Sequence, residues 1–134
     1  MPIELRRCHA RLAFLFDPAL QNTVRALAFA AALLFIASLF YVGRKPVAVH
    51  LFPSPYDHLA HLIAFGVLTF LFWLAAFRTR PVLLVLLIAS VGALDEWHQM
   101  YLPGRSAGFD DWAFDVLAAV IAVSVLRWLQ RRAL

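Results

Sequence analysis

At 134 residues the chain has the size of one domain, and 63% of it is hydrophobic, with a mean hydropathy of +0.79. That content excludes an ordinary soluble globule. The net charge of +4 would suit nucleic acid, but the basic residues are parcelled out between apolar blocks rather than gathered into a patch, which excludes that partner.

In chain order, Arg6, Arg7 and Arg11 look like the start of a secretory signal, yet the apolar run 12–16 is too short and Asp17-Pro18 interrupts it. The segment is predicted to lie in the membrane interface, with Phe14 and Phe16 dipping inward and the arginines facing lipid phosphates. Cys8 is the single cysteine, so an intramolecular disulfide and a Cys-based zinc site are excluded. Apolar blocks follow at 26–42, 59–77, 81–94 (continuing, charged, to 102) and 112–128. A membrane span needs about 20 residues, roughly 17–25. The first two blocks qualify alone, and the last two do so with their polar ends included.

The predicted fold is an all-α membrane protein, a small bundle of four transmembrane helices preceded by the short interfacial segment, forming one domain over residues 1–134. Pro46, Pro53 and Pro55 mark an outer loop after the first span. Pro81 is placed in the first turn of the third, and Pro103-Gly104 ends it. Nine of the twelve Arg and Lys residues fall before the first span, between the second and third, or after the fourth; only Arg44, Lys45 and Arg105 fall on the opposite side. By the positive-inside rule both termini are cytoplasmic, in a multi-pass protein of the bacterial inner membrane.

On that topology Asp57, Asp95, Glu96, Asp110, Asp111 and Asp115 all lie toward the outer ends of their spans. Residues three or four apart share a helix face. Asp57 with His61, Asp95 with Gln99 and Asp111 with Asp115 therefore make three polar stripes, with Arg105 in the loop joining two of them. A charge at membrane depth costs roughly 2.5–3.5 kcal/mol on insertion scales, so convergence into one outward-open cavity is the expected arrangement. Duller roles stay open: Asp57 as a helix cap, Asp110 as the cap of the fourth helix, His58 and His98 as wet interfacial groups, His61 bonded to Asp57, and Arg105 as a clamp on the carboxylates. The pattern H-E-x-x-H is absent, and the Asp110–Asp115 run differs in spacing from aspartate-rich magnesium–diphosphate motifs. No metal ligand and no cofactor are assigned from the sequence. Ala118 and Ala122, with Ala119 beside them, offer a small-residue face for close helix approach, and Trp112 and Trp128 bracket the fourth span.

Asp57-His58-Leu59-Ala60-His61, Asp95-Glu96-Trp97-His98-Gln99, Pro103-Gly104-Arg105, Asp111 and Asp115 together resemble the VanZ-like family of bacterial membrane proteins, in order over residues 56–126. Asp57, His61, Asp95, Glu96, Gln99, Arg105 and Asp111 match family positions. His58 stands where the family usually has lysine, Asp115 where asparagine is common, and Ala118 and Ala122 where glycines are frequent. The resemblance implies a role in the cell envelope, the family's namesake being associated with resistance to the glycopeptide teicoplanin.

The expected function is recognition of an envelope component or lipid headgroup by Asp57, His61, Asp95, Glu96, Gln99, Arg105, Asp111 and Asp115. Expected partners are membrane lipids, an envelope precursor or glycopeptide ligand, and a second copy of the chain. The alternative is a membrane-embedded hydrolase or transferase acting on a lipid-linked phosphate, with a carboxylate–histidine set activating water. A transporter or proton relay comes third, because the cytoplasmic halves of the spans carry almost no polar residues.

Overall fold

The computed structural model describes residues 18–45, 56–76, 80–104 and 107–132, and every element among them is a helix. These are α1 (Pro18–Gly43), α2 (Tyr56–Ala75), α3 (Pro81–Gln99) and α4 (Phe109–Arg132), each long and apolar enough to cross a membrane. The expected four-helix membrane architecture is therefore present. The interfacial N-terminal segment, most of the proline-bearing loop and Arg105 lie outside the described residues.

Helix limits differ from the hydropathy blocks in ways that follow from local chemistry. Helix α1 begins at Pro18, well before the apolar block at 26, because Pro suits a first helical turn and Ala19, Leu20 and Gln21 are good helix formers. Hydropathy locates the lipid-facing part of a helix, not its end. Helix α3 starts at Pro81, capped by Arg80 in an extended conformation, and stops at Gln99 rather than at 102. There Tyr101 N–H donates to His98 O (3.1 Å) and Leu102 N–H to Gln99 O (3.0 Å), tightening the chain into turns. Gly104 follows at φ 76°, the left-handed region that glycine enters without penalty. The hydroxyls of Ser38, Thr69 and Ser90 each bond a carbonyl three or four residues back, so they need no water in the hydrocarbon.

Helices α2 and α4 form the most extensive pairing, with α3 packed on α4 and α1 on α2. Ala118 and Ala119 are buried at the α4 contact, as the small-residue face predicts, and Ala122 is half-buried. The core comprises Phe65, Leu68 and Phe72 of α2, Leu84, Ile88 and Val91 of α3, Ala118, Ala119 and Val123 of α4, and Ala32 of α1. Leu27, Leu34, Leu83, Leu86 and Ile121 point outward, as lipid-facing residues should. The helices alternate in direction. The ends at Gly43, Tyr56, Gln99 and Phe109 meet at one end of the bundle, and Arg25, Arg80, Arg127, Arg131 and Arg132 stand at the other.

Candidate functional site

The buried face of α3 runs Leu84, Ile88, Val91, Gly92, Asp95, Glu96, Gln99, one helical stripe that changes from apolar to acidic without leaving the core. On α4 the same happens in reverse, Asp115 preceding Ala118, Ala119 and Val123. The acids thus occupy core positions at one end of the bundle, above a plug of aliphatic and aromatic side chains.

Helix dipoles explain some of these placements. Asp57 on α2 and Asp110 and Asp111 on α4 sit in first turns, where backbone N–H groups favour negative charge. Asp110 falls inside α4 rather than capping it, and Gly108 O accepts the Trp112 N–H at 3.3 Å. Asp95 and Glu96 lie near the C-terminus of α3, where the dipole opposes them, so other partners must hold them. Asp95 Oδ2 accepts from Gln99 Nε2 at 3.0 Å, the predicted stripe pairing. Glu96 Oε2 accepts the backbone N–H of Gly108 at 2.7 Å and so ties α3 to the entry of α4. Trp112 adds a second tie, its indole donating to Ala89 O at 2.9 Å, which makes it more than an interfacial belt residue.

Two clusters bridge the helices. In the outer one Asp57, His58 and Asp111 bring candidate ligand atoms within 4.8 Å of one another. His58 donates from Nε2 to Asp110 Oδ2 at 3.3 Å, stands 3.5 Å from Asp111 Oδ1, and stacks on Phe114 with ring centres 4.6 Å apart. In the inner one His61, Glu96 and Asp115 converge within the same 4.8 Å. His61 donates from Nδ1 to Asp115 Oδ1 across 2.8 Å, so its partner is Asp115 of α4 and not Asp57 one turn back. Asp57 Oδ1 instead accepts the N–H of His58 at 2.9 Å. Of the two acids Asp111 and Asp115, Asp115 is bonded by His61, while Asp111 Oδ1 stands beside His58 without a hydrogen bond.

Seven of the eight expected site residues therefore gather at one end, and Arg105 is outside the described residues. Two contributors escaped the sequence reading. His58 reads from sequence as a wet interfacial group, although its position three residues before His61 puts it on the same face. Gly92 was not singled out; it lies three and four residues before Asp95 and Glu96, and a Cβ there would stand 2.6 Å from Asp115 Oδ2. His98 is half-buried, its ring centre 5.2 Å from that of Phe40 on α1.

A cavity of about 710 Å³ opens between α1, α2 and α3 at the acidic end. Phe35, Leu39, Ile63 and Val67 are among its apolar walls, while Asp57, His61, Asp95 and Gln99 supply its polar surface. Ligand pockets commonly measure 300–1,000 Å³ with mostly apolar walls and a few placed polar groups. A smaller groove of about 370 Å³ on the other side of α3 is bordered by Glu96, Trp97, Gly108 and Trp112.

A family model described as VanZ/LLP1 matches residues 20–130, a span that takes in both clusters and all but the outermost two residues at each end of the four-helix bundle. The chain belongs to the VanZ/LLP1 family. Membership in this family, which is associated with glycopeptide resistance, agrees with the multi-pass membrane architecture. No curated protein and no solved structure matched the chain.

Proposed function

We propose that this VanZ/LLP1 protein binds an envelope lipid or lipid-linked precursor, with the headgroup on the acidic end and the chain along the apolar walls. One observation carries the reading: a single cavity joins lipid-compatible walls to Asp57, Asp95, Gln99 and His61, with no Lys or Arg among its described lining residues. Such a polar surface favours hydrogen-bond donors, so the preferred headgroup carries amino, hydroxyl or amide groups. Arg105 enters from sequence alone, as the cation for a headgroup phosphate. Occupancy of such a precursor would reduce its availability to glycopeptides, which connects the cavity to the family's association.

Binding of phosphatidylethanolamine, phosphatidylcholine and phosphatidylglycerol to the protein in nanodiscs tests the reading. Phosphatidylethanolamine is expected to be retained best, and Asp57→Asn with Asp95→Asn to remove the preference. Equal retention of all three lipids would discard it. Unchanged binding and glycopeptide sensitivity in Arg105→Ala and Arg105→Lys would take Arg105 out of the site.

The second reading, a hydrolase or transferase acting on a lipid-linked phosphate, draws on the His61–Asp115 pair, since an acid holding one imidazole nitrogen orients the ring for proton transfer. Turnover of envelope lipids that is lost in His61→Gln would favour it over binding alone.

A further inference from the structure

Two oxygens of the inner cluster are buried without a hydrogen-bond partner, Oδ2 of Asp115 and Oε1 of Glu96. Asp115 is 0% exposed and Glu96 8%, so water does not cover them from outside the protein. An unsatisfied buried polar atom costs about 1–3 kcal/mol, and more when charged. His61 satisfies only one of the two Asp115 oxygens, and Gly108 only one of the two on Glu96. Among the described residues no Lys or Arg forms an ion pair with either acid. Three side chains from three helices thus present one imidazole and two carboxyl groups within 4.8 Å of one another.

We infer that His61, Glu96 and Asp115 form a binding site for one divalent transition-metal ion of the Zn²⁺ type. The donor set decides the class of ion. Calcium takes six to eight oxygens and magnesium keeps a near-octahedral oxygen shell, whereas one imidazole with two carboxylates matches the mixed nitrogen–oxygen sets of zinc. The ion would give the unpartnered oxygens a partner, and its binding displaces to solvent the Nδ1 proton of His61 and any proton held by the two carboxyl groups. Gly92 keeps α3 close enough to Asp115 for the three ligands to converge. His61 borders the larger cavity and Glu96 the smaller groove, so the cluster is not sealed from either. The metal site shares His61 with the proposed lipid cavity, whose other polar groups, Asp57, Asp95 and Gln99, require no ion.

The test uses tag-free full-length protein in nanodiscs, stripped with chelator, exposed to Zn²⁺ alone and passed through size exclusion. Retained metal is then measured by elemental analysis, and affinity by calorimetry. Wild type is expected to retain one zinc per chain and to melt at higher temperature when loaded. Asp115→Asn, His61→Gln and Glu96→Gln are each expected to weaken binding at least about tenfold, the scale already seen for the outer partners of metal ligands. Wild type that retains no zinc overturns the inference, whatever the variants do. So does retention that survives all three substitutions, or retention that is lost instead with His58→Gln, which would put the ion at the outer cluster.

Discussion

Asp115 and Gly92 face each other across the α3–α4 contact so closely that a methyl group at position 92 would lie 2.6 Å from Oδ2 and 3.1 Å from Cβ of Asp115. In an unencumbered helix, exchanging Gly for Ala gains about 0.5–1 kcal/mol. Here the crowding reverses the sign. Gly92→Ala is expected to lower stability by about 1–3 kcal/mol, the usual cost of forcing extra atoms into a packed contact. A Cβ added at Gly66 of α2 would meet nothing within 4 Å, so Gly66→Ala should be neutral or stabilising. Paired denaturant titrations in detergent check both. Equal responses at the two sites would mean that Asp115 does not hold its place against α3.

The His61–Asp115 bond joins α2 to α4 in the most extensive helix pairing of the bundle. Asp115 is fully buried, so removing either partner strands a polar group in a low-dielectric interior. Asp115→Ala and His61→Ala are each expected to destabilise by about 3–5 kcal/mol. The double variant should fall short of the sum, with a coupling of about 0.5–3 kcal/mol. A double-mutant cycle by reversible unfolding measures it. Strict additivity would show the contact to be energetically silent.

Four helices were legible in the sequence because lipid imposes a hydropathy signal of fixed length, and the polar end because its acids recur at helical spacing. The partners were not. Spacing along one helix suggests Asp57 for His61, and only the packing of α2 on α4 brings Asp115 nearer. His58 is hidden for a related reason: an imidazole near a span end reads as solvated, and only the packing of α4 puts Phe114 and Asp110 beside it. Gly92 left no signal of its own, since the need for a missing side chain arises from what the neighbouring helix places there. Asp115 supplies the acceptor that holds His61.

Glu96 Oε2 and the Gly108 N–H form the contact that fixes where α4 begins, 2.7 Å long and reinforced by Trp112 on Ala89 O. A hydrogen bond to a charged group contributes about 1.5–3 kcal/mol. Glu96→Ala is expected to free the first turn of α4, seen as faster hydrogen exchange at Gly108 and Trp112, with the lower half of α4 unchanged. Glu96→Gln keeps a carbonyl acceptor and should preserve most of the protection. If Glu96→Ala exchanged no faster than wild type, the indole of Trp112 alone would account for the anchoring.

The described arginines Arg25, Arg80, Arg127, Arg131 and Arg132 stand at the end of the bundle opposite the two acidic clusters, so a single topology measurement orients the whole site. The positive-inside rule predicts that those arginines lie in the cytoplasm and the clusters outside. Arg44 and Lys45, at the acidic end, pack over Tyr41 at 4.8 Å and 4.6 Å from its ring centre, and they are too few to reverse the bias. A periplasmic phosphatase fused after Gly43 is therefore expected to be active, and the same enzyme fused after Thr79 or at the C-terminus inactive. Green fluorescent protein at these positions should give the reverse pattern. An active phosphatase at Thr79 with a silent one at Gly43 would turn the cavity toward the cytosol. A ligand there would have to come from the cytoplasmic leaflet, and extracellular glycopeptides could not compete for it.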